Sequence, residues 1–204
     1  QEEAQPAVRR LNQLTGPFIL RRMKADVLKE LPPKTENIYR IELETEQRKL
    51  YLAAVVDARE KLRAAKPEDK MTVFAVLMRL REICCDPRLV ADNWTGSSAK
   101  LEACLELVTE AVAGGHRILL FSQFTSMLEL LAKRLDEAGV SHFTLQGSTP
   151  KPVRAEQVRR FNQGEADVFL ISLRAGGTGL NLTAADIVIH YDPWWNPAAE
   201  NQAT

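Results

Sequence analysis

The chain has little cysteine and no long apolar run, and both absences exclude whole classes of protein. Cys84, Cys85 and Cys104 form no Cys-x-x-Cys pair, and no histidine cluster accompanies them. We therefore predict buried free thiols in a reducing compartment, not a disulfide framework or a metal site. No apolar run approaches the roughly 20 residues that span a bilayer, and residues 1–6 have no signal-peptide character. The expectation is an intracellular protein without a membrane partner.

The sequence also lacks net charge, because 27 basic residues balance 27 acidic ones. Global charge therefore predicts no polyanionic partner. Locally, seven basic residues stand against two acidic ones between Arg9 and Lys34. This excess is compatible with a nucleic-acid contact and equally with solvated charges on a helix and a linker.

Two motifs of nucleoside triphosphatases are absent. The loop that wraps a triphosphate, Gly-x-x-x-x-Gly-Lys-[Ser/Thr], does not occur, and neither does the metal-and-water motif Asp-Glu-x-His. We therefore expect no catalytic residue in this chain and no hydrolysis by it alone. Because the sequence has no initiator Met, we interpret it as a piece of a longer protein.

After residue 97 the sequence alternates between amphipathic helices and short apolar strands. Near-continuous apolar strands separated by helices indicate a parallel sheet covered on both faces, so the predicted class is α/β. The predicted helices are 98–112, 125–138 and 153–161, and the predicted strands are 117–121, 141–145, 168–171 and 187–191.

The first 96 residues have a different pattern. We predict a helix over 6–14, a strand over 35–43 with imperfect alternation, and two helices, 46–65 and 71–85, that pair as an antiparallel hairpin. A loop at residues 92–96 marks the boundary with the alternating part. The predicted domains are a junction with a first strand (1–44), a helical insertion with its linker (45–96) and an α/β lobe (97–204).

Polar and glycine residues follow every predicted strand of the lobe. Ser122 and Gln123 follow the first strand, and Gly147, Ser148 and Thr149 follow the second. Ligands of open parallel sheets bind beyond the carboxyl ends of the strands, where helix N-termini also present free N–H groups to anions. These residues could bind phosphates, or they could form an ordinary turn with a helix cap.

The third and fourth strands end in the most distinctive segments of the chain. Residues 172–182 contain three glycines, and residues 192–197 contain Trp194 and Trp195. Glycine lets the backbone approach a phosphate, and tryptophan offers a flat surface to bases, sugars or protein. A structural turn and ordinary rim packing are the alternatives. Taken together, the four strand ends predict a track for a row of phosphates, as in a nucleic-acid strand.

Taken as a set, these segments resemble the SWI/SNF-type, helicase-like DNA translocases of helicase superfamily two. The similarity covers nearly the whole chain and includes the junction between two RecA-like lobes, the end of a helical insertion, motif IV with the segment after it, motif V and a tryptophan motif. The corresponding residues are, in the same order, 17–27 with 31–34; 80–84 with Pro87 and 89–90; 118–124 and then 146–150 with Arg154, Val158, Phe161 and Asn162; 174–182; and 192–197.

The resemblance implies roles for individual residues. It implies that Gly179 and Asn181 face the nucleotide cleft. It further implies contacts with the DNA backbone or groove for Ser122, Gln123, Gly147, Ser148, Thr149, Ser172, Arg174 and Trp195. Two positions depart from the family pattern, since Gln146 replaces Asp and Leu173 stands where Thr is common.

The resemblance implies the second RecA-like lobe of a DNA-dependent ATPase, which uses ATP and Mg²⁺ in the complete protein. The implied partners are double-stranded DNA, the N-terminal RecA-like lobe and a DNA-bound protein substrate. The chain stops before the family's motif VI, whose arginines stabilise the transferred phosphoryl group. A non-catalytic docking module for nucleic acid or protein is the alternative, and an RNA-unwinding relative fits the insertion and the tryptophan motif less well.

Overall fold

A computed structural model describes Arg10 and residues 35–64, 66, 69–176 and 180–193; the described part of Arg174 is its backbone. The chain divides into two units, Gln1–Tyr39 and Arg40–Thr204. Nearly all described residues belong to the second unit, whose fold follows. Of the helix predicted over residues 6–14, only Arg10 is among the described residues, and it is helical.

The second unit begins with two helices that pack side by side, α1 (Thr45–Ala64) and α2 (Lys70–Cys85). They are antiparallel, because the Gln47 side-chain amide near the start of α1 donates to the Ile83 carbonyl near the end of α2, at 2.8 Å. The Asp69 carboxylate caps α2 by accepting from Thr72 N at 3.1 Å. Both helices of the predicted hairpin are confirmed within a residue at either end.

The remaining elements alternate in type after a short 3-10 turn at Pro87–Leu89. In chain order they are α3 (Ala99–Ala113), β1 (Ile118–Ser122), α4 (Thr125–Glu137), β2 (His142–Leu145), α5 (Lys151–Asn162), β3 (Val168–Ser172), the short α6 (Leu173–Gly176) and β4 (Ile187–His190). The strands form one parallel sheet in the order β2-β3-β1-β4. The predicted parallel α/β class is therefore confirmed.

Both faces of the sheet are covered, because alternate residues of each strand point to opposite sides. On one side, Ile118 and Leu120 of β1 pack with buried residues of α3 and α4, such as Leu101 and Leu131. On the other side, Leu119 belongs to a cluster that includes α5 and residues 180–185. The last residues of β1, β2 and β3, which are Ser122, Leu145 and Ser172, are buried as well, so a ligand can reach the sheet only through the loops that follow the strands.

Glycines end two of the helices that cover the sheet. Gly115 follows α3 with φ of 82° and Gly139 follows α4 with φ of 69°. A side chain is strained in this left-handed region, so glycine stops each helix at low cost and lets the chain turn into β1 or β2. The two predicted glycine stops are confirmed.

The strand predicted over residues 35–43 is wrong, because residues 35–44 form neither helix nor strand. Its apolar residues, Ile38, Ile41 and Leu43, do not keep the two-residue period that would place them on one face. The sheet itself begins with β1, in the interior of the strand order. The described helices include none that is both long and apolar enough to cross a bilayer.

Candidate nucleic-acid interface

The carboxyl ends of the four strands lie along one edge of the sheet. Ser122 at the end of β1 pairs in register with Ser172 at the end of β3, and Phe121 pairs with His190 at the end of β4. Leu145 at the end of β2 pairs with Ile171, so the following turn begins beside Ser172. We define the rim as residues 122–123, 146–149, 172 and 191–193.

Asp192 connects two parts of the rim. Its carboxylate accepts a hydrogen bond from the Ser122 hydroxyl at 2.5 Å and another from Gln123 N at 3.1 Å. The side chain is only 1% exposed, and Tyr191 N donates to the Phe121 carbonyl at 2.9 Å just before it. The segment after β4 is therefore fixed to the start of the loop after β1.

The surroundings of Asp192 act on its charge in opposite directions. Burial raises the pKa of this carboxyl above its ordinary value, whereas hydrogen bonds from Ser122 and Gln123 and the nearby cations Lys100 and Arg81 act in the opposite direction. The ammonium of Lys100 also lies 4.8 Å from the centre of the Tyr191 ring. Two cations therefore lie beside the end of the rim that β4 contributes.

The turn after β2 is held by Thr149. Its hydroxyl accepts from Gln146 N at 3.0 Å, and its own N–H donates to the Gln146 carbonyl at 3.0 Å. Gly147 and Ser148 between them are exposed, and a Cβ added at Gly147 would meet no atom within 4 Å. The tip of the turn is thus open to a ligand while its base is closed by hydrogen bonds.

Replacing Thr149 with alanine should lower the free energy of unfolding by about 1 kcal/mol, because Gln146 N loses its side-chain acceptor. Serine at this position keeps the hydroxyl and should change the stability little. Chemical denaturation followed by circular dichroism measures both variants. Equal stability of the alanine and serine variants would contradict a holding role for the hydroxyl.

Two buried polar atoms of the rim have no hydrogen-bond partner in the part of the chain that the structure describes. They are Oγ of Ser172, a residue only 3% exposed, and Nε2 of Gln123. Buried polar groups are normally paired, so such atoms beside an open edge are candidates for contact with a bound ligand or water.

The other residues singled out by sequence fall into three groups. Ser122 is fully buried and its hydroxyl already bonds Asp192 and Phe124 N, so it supports the rim from below. The backbone of Arg174 lies in the short helix α6, which begins at Leu173, the residue after Ser172. Gly179 and Trp195 lie outside the described residues.

Asn181 lies apart from the rim. The Asn181 carbonyl accepts a hydrogen bond from the side chain of Asn162. Asn162 is the last residue of α5, so it lies at the end of this helix that is remote from the turn at residues 146–149. Ala184 N bonds the same side chain, and Asp186 N then bonds the Arg117 carbonyl at the start of β1. Asn181 therefore lies in a different part of the lobe from the described residues of the rim.

The sequence interpretation gave no role to the residues that tie the hairpin to the rim. The Tyr191 hydroxyl donates to the Cys85 carbonyl at 2.8 Å, and the Arg81 guanidinium donates to the Pro193 carbonyl. Ser98 donates to the same Cys85 carbonyl at 3.1 Å. The only sequence signal for Asp192 is its position directly after an apolar strand. No sequence pattern marks Arg81 and Cys85 of α2 as contacts of the segment 191–193.

The residues that the structure describes do not by themselves form a site for Mg²⁺. The described part of the chain contains no group of three acidic, His or Cys residues able to hold a metal ion. The whole sequence lacks the triphosphate loop.

All three cysteines are free, and burial raises the pKa of Cys85 and of Cys104 to about 12, which keeps both as thiols.

Comparison with known proteins gives this arrangement a family. Residues 99–204, slightly more than half of the chain, match the model of the helicase conserved C-terminal domain, and residues 1–89 match the SNF2-related domain. The solved Sulfolobus solfataricus SWI2/SNF2 ATPase C-terminal domain is 30% identical, with a TM-score of 0.70 over 78% of this chain and 72% of that one. The chain belongs to the SWI/SNF-type helicase family.

The SWI/SNF-type assignment agrees with further relatives from bacteria and mammals. A putative ATP-dependent helicase/translocase, YwqA, of Bacillus subtilis is 41% identical over 95% of this chain and 22% of its own length. The mouse SWI/SNF-related matrix-associated actin-dependent regulator of chromatin, subfamily A member 1, is 36% identical over 98% of this chain and 20% of its own. The chain thus spans about a fifth of the length of these curated relatives.

A second solved SWI/SNF-type structure includes a nucleic acid. The Sulfolobus solfataricus SWI2/SNF2 ATPase core in complex with dsDNA is 27% identical, with a TM-score of 0.75 over 96% of this chain and 43% of that one. The parallel sheet and the helices that cover it therefore form the C-terminal RecA-like lobe of this family.

Proposed function

We propose that this chain is the second motor lobe of an ATP-dependent translocase on double-stranded DNA, which remodels or displaces DNA-bound protein. The observation that carries the proposal is the rim, where four strand ends with hydroxyl, amide and glycine groups lie along one edge of the sheet. The SWI2/SNF2 core bound to dsDNA supports the choice of ligand.

The length of the rim suits a polymer of phosphates better than a single metabolite. Neighbouring strands lie about 4.8 Å apart, so the four strand ends extend over about 15 Å. One strand of B-DNA advances about 3.4 Å per phosphate along the helix axis. The rim therefore matches the axial length of about four nucleotides.

The chemistry of the rim suits backbone contacts without sequence preference. The Ser148 hydroxyl and the backbone around Gly147 are exposed. Arg81 and Lys100 place positive charge beside residues 191–193. Such donors and charges fix the register of a duplex and carry no information on its base sequence.

ATP and Mg²⁺ are assigned in this proposal to the N-terminal RecA-like lobe. This chain contributes a surface on which that lobe closes, with Gly179 and Asn181 facing the nucleotide. Closing and reopening would move both lobes along one strand of the duplex. The chain alone is accordingly expected to bind DNA weakly and to hydrolyse no ATP.

One observation favours the alternative of a non-catalytic docking module. The helical hairpin exposes large apolar side chains, with Leu52 54%, Val56 57%, Met71 76% and Phe74 52% exposed. Apolar groups concentrated on one helical element suit a protein partner. Flanking sequence decides between the two functions, since the motor requires a triphosphate loop upstream and an arginine-rich motif downstream.

Replacing Ser148 with glutamate tests the DNA contact at an exposed position. A new carboxylate beside a phosphate is expected to weaken duplex binding by the full-length protein on the order of tenfold at low salt, because the two charges repel. Fluorescence anisotropy with a labelled duplex measures the affinity, and a melting curve confirms that the variant is folded.

Gln163→Glu is the matched control, because it adds the same charge at an exposed position beyond the far end of α5. We expect its affinity for DNA to equal that of the unmodified protein. If both variants lose affinity equally, the loss is a general charge effect, and the rim is not the DNA contact.

A further inference from the structure

Asn162, the last residue of α5, holds the segment that leads from β3 to β4. Its Nδ2 donates to the Asn181 carbonyl at 2.9 Å, and its Oδ1 accepts from Ala184 N at 3.3 Å. Both ends of the amide are thus used on residues 180–184. An aspartate or an alanine at this position cannot make the same pair of bonds.

The position of Asn162 is itself fixed by the core. The preceding residue, Phe161, is fully buried, and its ring centre lies 5.3 Å from that of Phe169 in β3. Rotation of α5 would therefore disturb the packing between the helix and the sheet. Asn162 is consequently a rigid support for residues 180–184.

The held segment also has apolar contacts of its own. Leu180 and Leu182 are partly buried and pack against the same cluster as Phe161. These contacts keep the segment near the sheet, but apolar packing has little directional preference. The two hydrogen bonds of Asn162 are directional, so they determine where the backbone of Asn181 lies.

We propose that Asn162 is a positioning residue for ATP binding, acting through Asn181. The inference rests on the proposed function, in which Asn181 faces the nucleotide. The helix that carries Asn162 begins directly after the rim turn at residues 146–149, so one rigid element connects the DNA-facing turn with the nucleotide-facing segment. Loss of the Asn162 bonds should impair nucleotide binding without impairing DNA binding.

Two variants of the full-length protein test the role of the side chain. Asn162→Ala removes both hydrogen bonds, whereas Asn162→Asp keeps an acceptor for Ala184 N and places an oxygen against the Asn181 carbonyl. Both are expected to raise KM for ATP about tenfold in DNA-stimulated turnover, with kcat and the half-saturating DNA concentration within about twofold of the unmodified protein. Melting curves identify any variant that is not folded, and the near-isosteric aspartate variant then carries the test.

Amide hydrogen exchange measures whether Asn162 holds residues 180–184, and it does so independently of ATP turnover. The alanine variant should expose the Ala184 amide to faster exchange, and the aspartate variant should leave it protected. Asn93→Asp, in an exposed turn, is the matched control and should change neither KM nor exchange.

An unchanged KM in either folded variant overturns the assignment of Asn162 and leaves the proposed function intact. Unchanged exchange at Ala184 in the alanine variant also overturns it, because the segment would then be held by other contacts. If the unmodified protein shows no DNA-stimulated turnover, the proposed function itself fails, and the exchange result still reports on the holding of the segment.

Discussion

Replacing Asp192 with alanine is expected to lower the free energy of unfolding by about 2 kcal/mol. The Ser122 hydroxyl and Gln123 N would lose the buried carboxylate that accepts from both, and each unpaired buried donor costs about 1–3 kcal/mol. Part of this cost is offset, because burial of the charged carboxylate, which raises the pKa of Asp192, is also removed. Chemical denaturation of the purified chain measures the difference.

The same substitution is also expected to reduce DNA-stimulated ATP turnover of the full-length protein. Asp192 connects the end of β4 with the loop after β1, so its loss should release two neighbouring parts of the rim. In the proposed function these parts contact one DNA strand together. The reduction should be larger at low DNA concentration, because misplaced contacts weaken binding first.

Asp186→Ala is the matched control for Asp192→Ala. Asp186 lies just before β4, at the opposite edge of the sheet, where it pairs with His116 at 2.6 Å and accepts from Arg117 N at 3.0 Å. Its side chain is 56% exposed, so we expect a cost below about 1 kcal/mol and normal turnover. Equal effects of the two substitutions would contradict a special role for the rim carboxylate.

Replacing Arg174 or Trp195 with alanine is expected to reduce DNA-stimulated ATP turnover at limiting DNA about thirtyfold. In the proposed function Arg174 makes a charge-assisted contact with a phosphate, and such bonds contribute about 1.5–3 kcal/mol. Trp195 supplies a flat surface towards a DNA groove. Turnover without DNA should remain unchanged, because neither residue is assigned to the nucleotide.

Arg159→Ala is the control for Arg174→Ala. Arg159 lies on the exposed side of α5 and pairs with Glu156 at 2.6 Å, away from the rim. We expect turnover and DNA affinity of this variant to match those of the unmodified protein. Full stimulation of both the Arg174 and the Trp195 variants would count heavily against the motor assignment and favour the docking module.

Much of the fold could be predicted from local pattern. The strand from Ile118 and the strand from His142 follow helices that stop at Gly115 and at Gly139, and each glycine supplies the left-handed conformation that its stop requires. The helices of the hairpin follow from the spacing of their apolar residues. These signals are local in sequence, so they could be interpreted without knowledge of the partners.

The strand predicted over residues 35–43 shows where local pattern fails. Ile38, Ile41 and Leu43 are typical strand residues, but strand formation requires a neighbouring edge with free N–H and C=O groups in register. No sequence window contains that information. The spans 1–44, 45–96 and 97–204 likewise stay predictions, as do the roles of the ten site residues.

The sequence by itself determined the parallel α/β lobe, the helical hairpin and the placement of polar residues after each strand, because each depends on neighbours along the chain. Only the tertiary structure decided that Ser122 is buried beneath Asp192, that Tyr191 bonds the end of the hairpin, and that Asn162 holds Asn181. These contacts join residues 19 to 106 positions apart. The packing of helices on both faces of the sheet sets such distances, and no local pattern records it.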